Sequence, residues 1–77
     1  MLTTLDIFCK AFNWQGGTIH QAKERFAIAS MREMDHVCGL LAQNLSSLSD
    51  PETALIFMRT RLEALRMANI ASIASKQ

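Results

Sequence analysis

The sequence has no tyrosine, one proline, three glycines and two cysteines among its 77 residues. Two cysteines, Cys9 and Cys38, are too few for the disulfide framework of a small secreted domain. No apolar run reaches the roughly 18 residues of a membrane-spanning helix, and the N-terminal segment lacks the pattern of a signal peptide. We therefore expect a cytoplasmic protein without a membrane partner, and a bacterial or phage source suits so small a chain.

Charge of either sign is also scarce. Eight Lys and Arg residues stand against seven Asp and Glu residues, for a formal net charge of +1. A nucleic-acid-binding module normally carries a clear basic excess, and an acidic mimic of nucleic acid carries the opposite. Near-neutrality disfavours both classes. Hydrophobic residues make up 49% of the chain, a composition that predicts a folded rather than a disordered protein.

Length limits the chain to one domain, residues 1–77. A chain this short lies near the limit at which a single core outweighs conformational entropy without disulfides, metal or a partner. Association with a second chain is therefore an expectation from size alone.

Apolar residues recur at helical spacing in four segments, which predicts an all-α bundle. The predicted helices cover residues 4–13, 18–27, 30–47 and 51–75, and the last would be roughly 37 Å long at about 1.5 Å per residue. We expect the first two helices to pack across the fourth and the third to lie antiparallel to it. Gly17, after the first helix, is expected to adopt a positive φ.

Helix starts carry their own signals. Thr18 with Gln21, and Ser30 with Glu33, have the spacing of a capping box, in which each side chain bonds the other residue's backbone N–H. Asp50 precedes the only proline and is the predicted N-cap of the fourth helix.

The predicted core draws on one stripe from each of the first three helices. These stripes are Leu5, Phe8 and Phe12; Ile19, Ala22 and Phe26; and Met34, Val37, Cys38, Leu41, Leu45 and Leu48.

The fourth helix has more apolar surface than one neighbouring helix covers. A helix that is apolar nearly all round is normally buried nearly all round, so we predict self-association, with a dimer expected. Burying about 600 Å² of apolar surface gives on the order of 15 kcal/mol before association costs. The alternative is that the first three helices wrap the fourth. The candidate self-association interface comprises Leu55, Phe57, Met58, Leu62, Leu65, Ile70 and Ile73.

Residues for chemistry are few. Cys9 with His20 is the best nucleophile and base pair, but both cysteines lie on apolar stripes, where burial makes a thiol inert. Neither a CxxC nor an HxxxH spacing supports zinc among His20, His36 and the cysteines, and neither a GxGxxG nor a Walker motif is present. We predict no catalytic residue, no cofactor and no metal.

The leading hypothesis is a non-enzymatic protein-interaction module that acts as a regulator, adaptor or inhibitor. Trp14, Arg59 and Arg66 are the candidate contacts with a protein partner, because Trp and Arg are enriched among binding hot spots.

The alternative hypothesis is a helix-turn-helix regulator that binds DNA through residues 18–45. Two carboxylates on the predicted reading surface and the missing glycine in the turn disfavour it. The residues that would face the groove are Ser30, Arg32, Glu33, Asp35 and His36.

Overall fold

The structure is a computed structural model that describes residues 1–75. It contains four α-helices, with one turn of 3₁₀ helix before the last of them. The helices are α1 (Thr4–Phe12), α2 (Ile19–Ala27), α3 (Met31–Gln43) and α4 (Pro51–Ser75), and the 3₁₀ turn is Leu45–Ser47. The prediction of a small all-α bundle with a long C-terminal helix is confirmed.

Helix α1 is capped at both ends by residues in or next to it. Thr3 and Asp6 form a capping box, and these hydrogen bonds lower the pKa of the Asp6 carboxyl. At the other end Asn13 has a φ of 49°, and Trp14 N–H donates to the carbonyl of Cys9 at 2.9 Å. This is the Schellman arrangement with Asn in the left-handed position.

The expected positive φ at Gly17 is wrong. Asn13 reverses the chain three residues after Lys10, whose carbonyl accepts from Asn13 N–H, so the turn is complete before the glycines are reached. No glycine among residues 1–75 has a positive φ. Asn is the common substitute for Gly there because its short polar side chain tolerates the left-handed region.

The starts of α2 and α3 follow the predicted capping residues. Ser30 and Glu33 bond reciprocally, at 3.1 and 2.9 Å. At α2 only half of the predicted box forms, because Gln21 N–H donates to Thr18 Oγ1 while Gln21 Oε1 accepts from Gly17 N–H, both at 3.1 Å.

Helix α3 ends at Gln43, four residues before the predicted end. Asn44 Nδ2 donates to the carbonyl of Leu40 at 2.8 Å, and the chain then leaves the α-helix through the 3₁₀ turn. Leu48 is buried as predicted, but its backbone is extended and pairs with Leu2 in an isolated parallel bridge. Side chains of Asn and Ser compete for backbone hydrogen-bonding groups. This explains why the helix ends although apolar residues continue at helical spacing beyond it.

The centre of the core is aromatic. Phe8 lies with its ring centroid 4.6 Å from Phe12, 5.3 Å from Trp14, 6.3 Å from Phe26 and 5.6 Å from Phe57. These five residues are all the aromatic residues of the chain, and they come from α1, α2, α4 and the corner after α1. Each well-oriented aromatic pair contributes about 0.5–1.5 kcal/mol beyond its area.

Helix α3 lies between α1 and α4. The Cys38 thiol faces the carbonyl of Phe57 at 3.8 Å, and Arg61 bonds Asp35, so residues ascending in α3 meet residues descending in α4. The predicted antiparallel pairing of these helices therefore holds. Helices α1 and α2 also contact α4, as expected, but the most extensive helix contacts are those of α3 with α4 and with α1.

A cluster that we call the N-terminal clasp joins the start of α1 to the segment before α4. Thr4, the first residue of α1 and fully buried, donates from its backbone N–H and its hydroxyl to Asp50 Oδ1, at 2.9 and 3.2 Å. Ser49 N–H donates to the carbonyl of Leu2 at 2.9 Å, beside the bridge of Leu2 with Leu48. Residues 2–4 are thereby fixed to residues 48–50.

Two expectations, for the Asp50 side chain and for the buried face of α1, are corrected. The Asp50 carbonyl accepts from Thr53 N–H at 3.0 Å, as an N-cap residue does, but the carboxylate bonds α1 instead. The buried face of α1 is Thr4, Ile7 and Phe8, while the predicted Leu5 and Phe12 are only half-buried.

Asp50→Ala should destabilise the fold. It leaves the buried Thr4 N–H without its acceptor and the Thr4 hydroxyl with only the backbone carbonyl of residue 50, at 3.4 Å, a loss of about 1–3 kcal/mol in the free energy of unfolding. Asp50→Asn keeps an acceptor oxygen and should lose less. Urea unfolding measures both changes. Glu52→Ala, at an exposed residue in the first turn of α4, is the control and should stay within about 0.5 kcal/mol of the parent. Equal stability of Asp50→Ala and the parent would contradict the role given to the clasp.

Candidate interaction surface

Helix α4 carries an exposed apolar side that we call the outer face. Six large apolar side chains form it, each between 41% and 67% exposed. They are Leu55, Ile56, Leu62, Met67, Ile70 and Ile73. Monomeric proteins rarely expose contiguous apolar patches of more than a few hundred Å², and larger ones usually mark binding sites.

The opposite side of α4 meets the bundle. Ala54 and Phe57 are buried there, and Phe57 is only 1% exposed. Phe57 was predicted to be part of the self-association interface, but it is a core residue and is not available for that contact. Met58 and Leu65 from the same prediction are half-buried, and Met58 packs against the core.

Bundle contacts end well before the helix does. Leu65 is the last half-buried residue among the described part of α4, and every side chain from 66 to 74 is exposed. The molecule measures 50 × 24 × 17 Å, and this elongation reflects the last ten residues of α4, which project by about 15 Å. We call residues 66–75 the α4 tail. Helices α1 to α3 do not wrap α4, contrary to the alternative considered from the sequence.

Two arginines lie on the outer side of α4. Arg59 and Arg66 are exposed, and neither joins an ion pair within residues 1–75. Arg61, by contrast, turns to α3, where its hydrogen bond with Asp35 raises the pKa of the guanidinium. Helix α4 therefore offers positive charge between apolar side chains.

Trp14 occupies the corner between α1 and α2. Its half-buried ring meets Phe8 nearly edge-on, at 83°, and lies against the backbone of Gly16. A Cβ at Gly16 would overlap the indole, whereas one at Gly17 would meet nothing. Trp14 therefore completes the aromatic cluster, and contact with a partner through its exposed edge stays a prediction.

The predicted DNA-reading surface begins at the short connection between α2 and α3. Glu33 is bonded to Arg25 at 3.2 Å, and Asp35 is bonded to Arg61, so both carboxylates are engaged within the chain. The hydrogen bond that the Glu33 carboxylate accepts from the backbone N–H of Ser30, together with its bond to Arg25, lowers the pKa of Glu33. The other residues of this surface are exposed: Ser30, Arg32 and His36.

The candidate nucleophiles are engaged with carbonyl oxygens. The Cys38 thiol faces the Phe57 carbonyl, and burial raises its pKa. The Cys9 thiol faces the carbonyl of Gly16 at 3.7 Å, while His20 pairs with Glu24 at 3.3 Å. Across residues 1–75, no group of three or more Cys, His, Asp or Glu residues is arranged to hold a metal ion.

A groove between α1 and α3 was not anticipated from the sequence. It encloses about 490 Å³, and its walls mix apolar and charged side chains. They are Leu2, Asp6, Ile7, Lys10, Ala11, His36, Leu40 and Asn44. The spacing within each helix gives no signal for it, because the groove depends on the angle at which the two helices meet.

No helix within residues 1–75 is both long enough and apolar enough to cross a membrane. No protein family model, curated protein or solved structure matches this chain. The surface of the chain itself is therefore the basis for a functional proposal.

Gly16→Ala should displace Trp14 from the core. The added Cβ overlaps the indole, and overpacking of this kind costs about 1–3 kcal/mol of unfolding free energy. The emission of the only tryptophan should shift to the red. Gly17→Ala is the matched control, because its Cβ meets open space, and its emission and melting temperature should stay at or slightly above the parent's. An unchanged emission spectrum for Gly16→Ala would contradict this prediction, because it would show that the backbone of the corner shifts to accommodate the added Cβ.

Proposed function

We propose that this protein is a small non-enzymatic interaction module that self-associates through the outer face of α4. In this role it acts as a regulator, adaptor or inhibitor of a further protein. The observation that carries the proposal is the outer face itself, with six large apolar side chains exposed along one helix.

The size of this surface supports association rather than incidental exposure. Covering about 600 Å² of apolar area at roughly 25 cal/mol per Å² contributes on the order of 15 kcal/mol. Association costs an estimated 4–15 kcal/mol, so a net gain is compatible with a stable complex. The small size of the chain adds to this support, since oligomerisation is a common source of stability in chains this short.

The charges on the same side of α4 fit a protein partner. Arg59 and Arg66 stand between leucines and isoleucines, and Arg within a desolvated apolar surround is a frequent hot-spot residue. Trp14 lies on another part of the bundle, which leaves it accessible to a different protein when α4 is occupied by self-association.

Leu62→Glu should convert the protein to a folded monomer. Leu62 is 53% exposed, so the substitution leaves the core intact but places a charge within the proposed contact. Ile70→Glu should act in the same way. Ile28→Glu is the matched control, because Ile28 is 79% exposed but lies in the connection between α2 and α3.

Sedimentation equilibrium at tens of micromolar supplies the measurement, with circular dichroism to verify folding. The parent and Ile28→Glu should have a mass above that of the 8.6 kDa chain, while the two α4 variants should not. A parent mass of 8.6 kDa under these conditions would refute self-association.

The DNA-binding alternative is distinguished by salt. Binding through phosphates weakens steeply as salt rises, whereas an apolar protein interface responds little. We expect no tight duplex binding at about 150 mM salt, measured by fluorescence anisotropy of a labelled duplex pool. Tight binding that disappears in Arg32→Ala or Arg59→Ala, with folding unchanged, would favour the helix-turn-helix reading instead.

A further inference from the structure

One line of residues along α4 has the spacing of a coiled-coil contact. Its members are all exposed and follow at alternating steps of four and three residues. We call it the seam: Leu55, Arg59, Leu62, Arg66, Asn69 and Ile73. Phe57 lies about 200° round the helix from Leu55 at about 3.6 residues per turn, so the seam faces away from the bundle.

We infer that the seam packs against the seam of a second copy in antiparallel orientation, with residue 64 at the two-fold axis. This inference rests on the proposed self-association and specifies its partner, direction and register. Leu55 then lies opposite Ile73 of the second copy, Arg59 opposite Asn69, and Leu62 opposite Arg66.

The position of the arginines decides the direction. In a parallel pair, equivalent residues of the two chains lie at the same level. Arg59 would therefore face Arg59 of the second copy, and Arg66 would face Arg66. Like charges directly opposed across an interface are unfavourable. Antiparallel packing puts an apolar or amide side chain opposite every arginine of the seam.

Glu63 supplies the opposite charge. It follows Leu62 and therefore lies within about one residue of the level of Arg66 of the second copy in this register. Two Glu63 and two Arg66 side chains then surround the axis with no net charge. On the same flank, Ile56 comes within about two residues of the level of Ile70 of the second copy, which buries both.

The register is fixed by the length of α4. When residue 64 lies at the two-fold axis, residues 53–75 of the two helices overlap over about 34 Å. Each α4 tail then packs along the N-terminal half of the other α4, the half that contacts the bundle. A shift of one heptad in one direction leaves both tail ends uncovered, and a shift in the other leaves Leu55 uncovered. The chosen register is the one that covers the seam from end to end.

Disulfide crosslinking tests the direction. In a Cys9→Ser background, which keeps the buried Cys38, we mix Leu55→Cys with Ile73→Cys and oxidise. About half of the material should become a covalent dimer, the statistical share of mixed pairs, because the two new thiols meet. Each variant alone should give no more than about a tenth as much, since its two thiols lie about 27 Å apart along the helices. The background chain should give none.

A charge exchange tests the register. Glu63→Arg and Arg66→Glu should each weaken self-association about tenfold or more, because four like charges then surround the axis. An equimolar mixture of the two should regain the parent affinity within about threefold, since the mixed pair is neutral again. Lys23→Glu on α2, which changes the net charge as Arg66→Glu does, is the control and should leave affinity unchanged.

The unfavourable outcomes are separable. A monomeric parent refutes the proposed function and this inference together. A dimer in which one variant alone crosslinks as readily as the mixture is parallel, and a dimer in which the mixture fails to crosslink uses another surface or register. Failure of the charge-exchanged mixture to recover also overturns the register. The last three results refute this inference while self-association stands.

Discussion

Phe8 is the residue on which the bundle depends. Its fully buried ring contacts Phe12 on its own helix, Trp14 at the next corner, Phe26 on α2 and Phe57 on α4. Helices α1 and α2 have nine residues each, a length at which isolated helices are marginal in water. Their helical state therefore depends on tertiary contacts, and the aromatic cluster supplies the contact that α1, α2 and α4 share. Close approach of the corner to this cluster is possible because Gly16 has no side chain.

Local signals in the sequence were sufficient to predict the helices but insufficient to predict the contacts between them. The reciprocal bonds of Ser30 with Glu33 could be predicted, because both partners lie within one turn. Asp50 was assigned to its own helix for the same reason, yet its carboxylate bonds Thr4, and no spacing reports a partner 46 residues away. Asn13 took the left-handed position expected at Gly17 because the chain turned as soon as α1 ended.

The surface of α4 was predictable in kind but not residue by residue. Apolar side chains point in several directions around this helix, which indicated more surface than the chain could cover. That same pattern hides which side the bundle takes, so Phe57 was placed with Leu62 and Ile70 although it lies in the core. Only the packing of α1, α2 and α3 against α4 resolves this ambiguity, and the groove between α1 and α3 is a product of helix packing too.

The N-terminal clasp also has a consequence for the order of folding. The bonds of Thr4 with Asp50 close a loop across a sequence separation of 46 residues, whereas the cluster of Phe8 with Phe12 and Trp14 is local. Closing a flexible loop of that length costs about 3 kcal/mol of chain entropy, which local contacts do not incur. We therefore expect residues 2–4 to dock after the helices have formed, and to be the first part of the bundle to open during native-state hydrogen exchange.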